Sequence, residues 1–577
     1  MLKTWKTNAS DDALVNELVQ QTGLPRPACA VLASRDYISA ESVDAFLNPR
    51  LSNLPDPFLL PNMEAAVARI AQALSNHETI LVYGDYDVDG ITSTALMVHV
   101  LTALGGKAVP FLPHRVDDGY GLGVEPVQRC IADHAPGLIL TVDCGTGSAE
   151  AVEAARALGV DVVVTDHHEP GAEIASAHAV VNPKLNGADH PLRNLAGVGV
   201  AFMVCGALYR KLRDAGAERV EALDLKKHLD LVALGTIADM VPLTAENRIL
   251  AKYGLVQANR TTHPGLRALK EAAGIKTDMD AYHVGFLLGP RLNAAGRLGT
   301  AQHALELLLS NDPDQSGMIA ADLDAANRER QQVEVRMVEE AIADIDRWFD
   351  ADTHLGVVTA KREWHPGVIG IVASRLCARY NRPSIVIAVD EEGTGRGSCR
   401  SIAPFNIVEG LGDCADLLLR FGGHQMAAGL QVEEKHIEAL RDRFNGAVQA
   451  RVSRDDLRPE QRIDAWICLR DADWALIECL ERMAPFGLGN PKPVWAVKGA
   501  RLLGEPRVVG QKHLKMSFLD GNEKLDAIAF NMADREIPDG PLDVAFQLSR
   551  NTWMDRDTIQ MNVQDFRASV ESNDVSG

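Results

Sequence analysis

The apolar positions change period repeatedly along the 577-residue chain. Up to about residue 75 they recur at helical spacing, broken by Asn48-Pro49 and by Pro55, Pro57 and Pro61, which predicts an N-terminal helical segment over 1–75. Four short apolar runs follow, at Thr79–Gly84, Lys107–Phe111, Gly137–Val142 and Asp161–Thr165. Helical stretches intervene at Thr92–Leu104, stopped by Gly105-Gly106, and at Ser148–Leu158, stopped by Gly159. Strands alternating with helices of about 10–15 residues predict right-handed βαβ units in a parallel sheet, occupying 76–311. At Asp312-Pro313 the texture changes. Leu323, Ala326, Val333, Met337, Ala341, Ile345 and Trp348 recur among many charges, predicting one long connecting helix over 312–351. Such a helix reads as a strut between domains more than as part of a core. A second, smaller α/β unit spans 352–452, with strands at Leu355–Thr359 and Ser384–Val389. After the polar stretch Ser453–Arg462 the pattern turns to strict alternation, as in Leu514/Met516/Phe518, Val544/Phe546/Leu548 and Ile559/Met561/Val563. Several short half-buried strands predict a small β-barrel over 462–570.

Charge narrows the classes of function. The chain carries 58 basic and 79 acidic residues, a net −21, so nucleic acid would have to be met by local basic patches. No apolar run approaches the ~18 residues a membrane span needs, and the first residues lack a signal-peptide pattern. The nine cysteines are scattered, with no C-x-x-C pair, so neither a disulfide framework nor a thiolate zinc site is expected and a reducing cytoplasm is. No Gly-x-x-x-x-Gly-Lys-Ser/Thr loop occurs, which disfavours an ATP-driven role.

The candidate chemistry lies where strands end. After Gly84 come Asp85, Asp87 and Asp89; after Val142 comes Asp143; after Thr165 come Asp166, His167 and His168. The carboxyl ends of parallel strands lie along one edge, so these segments are expected to converge on one site. Asp239, a lone acid in an apolar stretch, offers a further arm. Any one of these aspartates alone would read as a turn former or helix cap. Together they would repel one another unless cations neutralised them. Oxygen-rich ligation with histidine and no thiolate favours two Mn²⁺ or Mg²⁺ ions, with Asp143 bridging and Asp87 and Asp89 facing different ions.

These residues, with Gly235-Thr-Ile-Ala-Asp239, resemble the DHH phosphoesterase superfamily, and within it its single-strand-specific bacterial 5′→3′ exodeoxyribonucleases. The likeness runs from Phe46-Leu-Asn-Pro49 to the barrel. It takes in His114–Leu122, Leu195–Ala201, Gly289–Arg297, Gly397–Ser401, Phe421–His424 and Pro485–Pro491. The resemblance implies a DHH domain, a DHHA1 domain and a terminal OB-fold barrel. It implies Asp87, Asp89, Asp143, His167 and Asp239 as metal ligands, Asp85 and Asp166 as acids that orient them, and His168 as the residue meeting the scissile phosphate. It further implies attack from a 5′ end with release of 5′-mononucleotides, service in DNA recombination and repair, and single-stranded-DNA-binding protein and a DNA helicase as partners.

Arg115, Arg291, Asn293 and Arg297 suit phosphate oxygens, the guanidinium forks above all. Gly395–Ser401 and Gly422-Gly423-His424 read as glycine-rich turns, so Ser398, Arg400, Gly423 and His424 are expected to cradle phosphate. Lys492, Lys498, Arg501, Arg507, Lys512 and Lys515, against Glu505 alone, give the barrel the basic strip that a strand-tracking groove needs. Trp495, Phe518 and Trp553 are either base-stacking or core residues. Two other readings stand beside the exonuclease: a phosphodiesterase for very short oligonucleotides or cyclic dinucleotides, for which the chain is long, and a non-catalytic replication scaffold, for which the ligands are too complete.

Overall fold

The apolar runs of the first half become neighbouring strands of one parallel sheet. The computed structural model describes residues 3–8, 11–115, 118–119, 121–217, 219–553 and 556–569. Across the sheet the order is Lys107–Phe111, Thr79–Tyr83, Leu138–Val142, Asp161–Thr165 and Ala179–Val181, with every neighbouring pair parallel. In chain order this is 2-1-3-4-5, so the direction of winding reverses between Thr79–Tyr83 and Leu138–Val142. A crevice opens at such a switch point, beyond the carboxyl ends of the strands. Alternate strand residues fill two cores. Ile80, Val82, Leu138, Leu140 and Val163 pack with the helices Val88–Ala103, Gly197–Asp214 and Leu229–Ala238. Leu81, Tyr83, Ile139, Val162 and Val164 pack with Val124–His134 and Ala149–Ala157. The first helix starts at Val88, not Thr92. It is buried on nearly every side, so no polar face marks its start in the sequence.

The long helix runs Pro313–Ile345, capped by Asp312, whose carboxylate accepts from the Asp314 and Gln315 amides. Its ends belong to cores. Ala320 and Leu323 join the first, while Met337, Ala341 and Ile345 join Val368, Val372, Leu376 and Val386 of the next domain. Its middle is polar yet buried: Arg330 binds Glu334 and Asn327, and Glu334 also holds Arg375. Within that group the bond that leaves the helix is the one Arg375 of the next domain donates to Glu334.

The second α/β domain has a mixed sheet, ordered Leu418–His424, Ala427–Glu433, Thr394–Arg400, Ser384–Val389, Val357–Lys361, with only the last pair parallel. The segments read as glycine-rich turns are therefore strands. Their backbone N–H groups are in ladder pairing, as in Ser398 opposite Val386 and Gly429. The glycines serve packing: a Cβ on Gly397 would lie 2.6 Å from Leu430 Cδ1. Alternation buries Cys399 and turns Ser398 and Arg400 to the other face, beside Gly370 in the first turn of the helix Ile369–Tyr380.

All of this forms one compact unit, Leu51–Leu457; Met1–Arg50 and Arg458–Gly577 form another. The segment read as 1–75 thus divides at residue 50. In the second unit five of the seven sheet strands close into a barrel, because Trp495–Leu502 pairs with both Leu542–Trp553 and His513–Asp520, while the short Ala465–Trp466 and Arg507–Val509 each flank one strand of the ring. Trp495 and Phe518 are fully buried in its core and do not stack on a ligand; the side chain of Trp553 lies outside the described residues. Thr4–Thr7 pairs in parallel with Glu460–Ile463. Val15, Leu18, Leu32 and Phe46 from the N-terminal helices share the apolar cluster of Trp495, Phe518 and Phe546. Distant sequence thus completes the barrel's core. Leu18→Ala should therefore destabilise the barrel by about 2–5 kcal/mol. The check is urea-dependent hydrogen exchange of the strands Leu542–Trp553 and Arg556–Ala568; unchanged protection there would separate the helices from the barrel's folding unit.

Candidate metal centre

Three strand ends and one helix end deliver the acids. Asp87 caps the helix Val88–Ala103, its Oδ1 accepting from the Asp89 amide at 2.9 Å and the Gly90 amide at 3.2 Å. This fixes Asp89 in the first helical turn. Its buried carboxylate in turn accepts from the amides of Gly197 at 2.6 Å and Val198 at 2.8 Å, at the start of Gly197–Asp214. A helix N-terminus thereby stabilises the ionised form. The position needs glycine, since a Cβ at 197 would stand 2.4 Å from Asp143 Oδ1. Asp143 leaves its strand at φ 62°, the left-handed region, a strained conformation for a non-glycine residue that turns up at functional sites. Asp239 ends the helix Leu229–Ala238.

The side chains meet. His167 Nε2 lies 3.1 Å from Asp143 Oδ1, 3.6 Å from Asp239 Oδ2 and 3.7 Å from Asp89 Oδ2. Donor atoms of Asp85, Asp87 and Asp143, of Asp143, His167 and His168, and of Asp89, His167 and Asp239 each fall within 4.8 Å of one another. Asp87 and Asp89 fall in different triplets, and Asp143 in two. Burial, then Asp87, raises the Asp85 carboxyl to about 8 and the Asp89 carboxyl to about 7. Burial and the surrounding carboxylates push Asp143 and Asp239 well above the usual range. Burial, then His168, lowers the His167 imidazole to about 3, leaving it neutral. Among the described residues, Asp143 Oδ1 and His167 Nε2 are buried without any hydrogen-bond partner. Neutral imidazole nitrogen and carboxylate oxygens with unused lone pairs are the donor set of a hard divalent cation, and the residues fit one.

Asp166 faces the other way. Its Oδ2 accepts from the Thr146 amide at 3.0 Å; its Oδ1 takes the amides of His167 and His168 and the His168 ring Nδ1 at 2.8 Å. Burial alone would raise its pKa, but the His168 hydrogen bond and charge, with His167, hold it far below the usual range. Asn182, not foreseen, braces this turn by donating to the His168 carbonyl and to Thr146 Oγ1. Lys184 was also missed. It lies 3.3 Å from Glu169, and its charge acts on both Asp239 and His167. Only Asn182-Pro183 after the short strand Ala179–Val181 hints at either. A cavity of about 510 Å³ opens beside Asp166 and His168, lined also by Gly145–Ser148, Glu169 and His424. His424 is exposed at the end of its strand, and Gly423 precedes it at φ 148°.

The cations gather on one flank. Arg297, half-buried, donates to the Gly367 carbonyl at 3.1 Å; burial and the neighbouring Arg115, Arg330 and Arg400 bring its pKa down to about 10, with Asp87 opposing. Burial and Arg115 likewise depress Arg400, which donates to Ser398 Oγ at 3.2 Å. Arg115 lies over the Tyr86 ring at 4.8 Å and acts on Asp85; Val116, Asp117 and Tyr120 of its loop lie outside the described residues. Like charges held together in a buried place mark an anion site. Arg291 does not join them. Its guanidinium is bound to Asp324 of the long helix at 2.9 Å and to the Leu287 carbonyl at 2.7 Å, so it fastens two helices. Asn293 is half-buried on the same helix.

Comparison with known proteins agrees with this geometry. Residues 79–236 match the DHH family, N-terminal domain, 352–450 the DHHA1 domain and 463–565 the RecJ OB domain. The chain is 38% identical over 572 residues to the single-stranded-DNA-specific exonuclease RecJ of Bacillus subtilis, covering 98% of this chain and 71% of that protein. It is 38% identical to the protein of the same name from Escherichia coli over 520 residues, 87% of this chain and 89% of that one. The crystal structure of RecJ in complex with Mn²⁺ from Thermus thermophilus aligns at a TM-score of 0.84 and 32% identity, over 98% of this chain and 80% of that one.

The raised carboxyls set a pH dependence. Unfolded aspartates release their protons near pH 4, whereas in the folded metal-free protein Asp85 and Asp89 retain theirs to about 8 and 7. The stabilisation of the protonated site is full below pH 4 and is lost as pH rises to 8. His167, depressed, acts in the opposite sense below pH 6.5, one group against four. Metal-free protein should therefore lose thermal stability between pH 5 and 8, and Mn²⁺ should raise Tm more at pH 8 than at pH 5. Equal Tm shifts at both values would remove these carboxylates from the cation site.

Proposed function

Because the chain belongs to the RecJ family of single-stranded-DNA-specific exonucleases and is a metal-dependent DNA exonuclease, we propose that it works from the 5′ end and releases 5′-mononucleotides. Asp87, Asp89, Asp143, His167 and Asp239 would hold two cations, Mn²⁺ or Mg²⁺, with Asp143 shared between them. When bound, the cations lower the pKa of water and neutralise charge on the phosphoryl oxygens. The chain's own part is orientation. Asp85 and Asp166 fix the surrounding turns, and Asp166, by engaging His168 Nδ1, directs Nε2 toward a nonbridging oxygen of the scissile phosphate.

The observation that carries the polarity is the guanidinium cluster beside one flank of the acids. Arg297 senses Asp87, and Asp85 senses Arg115. A terminal phosphate bears more negative charge than a bridging phosphodiester, so Arg115, Arg297, Ser398 and Arg400 together favour an end over the interior. With the 5′-phosphate held next to the metal ligands, the bond within reach is the first one, and the product is a mononucleotide. Arg291, engaged by Asp324, is left out of this pocket. His424, at the cavity beside His168, and Gly423 before it border the path of the strand.

The barrel would track the remainder. Arg507 pairs directly opposite Lys515, and Lys498, Arg501 and Lys512 are exposed nearby. Like charges facing across a strand pair repel, and a phosphate backbone relieves that repulsion. Since duplex ends are not substrates, the setting is DNA repair and recombination in the cytoplasm. A DNA helicase there frees the strand and single-stranded-DNA-binding protein holds it open.

Two measurements test this reading. Arg400→Ala should lower kcat/KM on a 5′-phosphorylated oligomer by roughly ten- to a hundredfold, the worth of one charge-assisted hydrogen bond, and leave the 5′-hydroxyl oligomer nearly unaffected. An undiminished preference for phosphate would sink the pocket, and earlier release of a 3′ label would sink the polarity. Replacing Arg507 and Lys515 by alanine should reduce the slope of log K against log salt by about 1.4, at ~0.7 per phosphate contact. An unchanged slope would exclude that strand pair from the DNA path.

A further inference from the structure

Two large aromatic side chains stand in solvent where the fold had the means to bury them. Tyr282 is 58% exposed and Phe286 69%, and their rings stack 5.1 Å apart at 26°. They occupy one face of a helical stretch whose residues His283–Leu288 form a π-helix, a rare local widening frequent at functional sites. The neighbouring face packs on the helix that delivers Asp239. A Cβ at Gly289 would lie 3.5 Å from Ala238 Cβ, and one at Gly285 would lie 3.9 Å from Ile237 Cγ2. Immediately after Asp239, Met240 adopts φ 61° and is 69% exposed. Three exposed apolar side chains thus belong to the two segments that meet at a metal ligand. Nothing in the metal chemistry or the phosphate pocket employs them.

We propose that Tyr282 and Phe286 form a platform on which an unpaired base of the substrate stacks, and that this platform helps restrict the centre to single strands. The inference rests on the exonuclease reading above and extends it to the bases. A paired base hides its edges against its partner and its faces against its neighbours. Only an unpaired strand can lay a base face on an aromatic ring, and every base has such a face, so the contact selects strandedness and not sequence. Position fits the role. Phe286 and Arg297 are separated by eleven residues of nearly continuous helix, roughly 16 Å at ~1.5 Å per residue. A 5′-phosphate held at Arg297 leaves the platform for bases further along the strand. The stretch between them, including Arg291, is fastened to the long helix through Asp324, so platform and pocket keep their spacing.

The test crosses protein ring with substrate base. Wild-type enzyme with Mn²⁺ is assayed on a 5′-phosphorylated oligothymidylate and on the same oligomer made abasic through its interior, alongside the Tyr282→Ala/Phe286→Ala double variant and Phe286→Trp. In wild type, loss of the bases should lower kcat/KM by about five- to a hundredfold. In the double variant the intact oligomer should suffer a similar loss and the abasic penalty should shrink to near one. Phe286→Trp should keep the wild-type pattern. The Mn²⁺ concentration giving half-maximal rate should be the same in all three, which a merely structural disturbance of Asp239 would not allow. Rejection of blunt duplex should weaken in the double variant. An abasic penalty as large in the double variant as in wild type overturns the platform. The same follows if the double variant keeps wild-type kcat/KM, or if its chief effect is a changed sedimentation mass, which would assign the rings to a second copy of the chain. If wild type degrades neither oligomer, the exonuclease reading itself fails, a result distinct from all of these.

Discussion

Five aspartates gathered at one sheet edge repel one another, and much of the DHH domain is arranged to hold them there. Hydrogen bonding does part of this work. Asp87 is satisfied by the start of one helix and Asp89 by the start of another, so each carboxylate sits where the backbone offers positive partial charge. Asp166 is engaged on all sides by amides and an imidazole. Asp143 and His167 are left with unpartnered atoms at the centre, and these are the atoms a cation needs. The fold leaves this repulsion incompletely answered, and that residue of unmet charge is its affinity for metal.

A second arrangement of charge answers the first. The overall −21 hides a division of labour, with acids concentrated at the sheet edge and guanidinium groups held beside them. The long helix maintains that closeness. Arg115 and Arg297 belong to the parallel-sheet domain and Ser398 and Arg400 to the mixed-sheet domain, yet they lie together because one helix is embedded in both cores. In its buried middle, Glu334, held by Arg330, accepts from Arg375 of the mixed-sheet domain in a hydrogen bond of defined geometry. Apolar packing at that point would tolerate sliding. A cluster of guanidinium groups assembled from two domains requires this kind of fixed register.

Much of this was legible in the sequence, and the exceptions have physical reasons. Strand ends announced themselves because a parallel sheet shows as apolar runs closed by polar turns. The helix beginning at Val88 was read four residues late because it is buried almost all round and shows no amphipathic period. Gly395–Arg400 looked like a turn because its glycines are numerous, but there they admit Leu430 and Ile387 to a crowded sheet and do not bend the chain. Arg291 looked like its neighbour Arg297; only the third dimension puts Asp324 against one and a cluster of guanidinium groups against the other. Lys184 and Asn182 carry no pattern that a linear reading detects, because their partners are brought near by the sheet. The exposure of Tyr282 and Phe286 was equally hidden, since apolar residues in a helix are read by default as core.

The pairing of the first 50 residues with the terminal barrel has a consequence for synthesis. These residues leave the ribosome well before the barrel, and Leu18, Leu32 and Phe46 meet their partners around Phe518 and Phe546 only after roughly 500 further residues have been added, ~25–100 s later at about 5–20 residues per second. Throughout that interval three amphipathic helices carry uncovered apolar faces while the middle of the chain is completing its own domains. The nascent chain is thus most exposed to chaperones, and to misassembly between ribosomes on one message, at these early helices. Encoding residues 1–50 next to the barrel would let its core close without that delay.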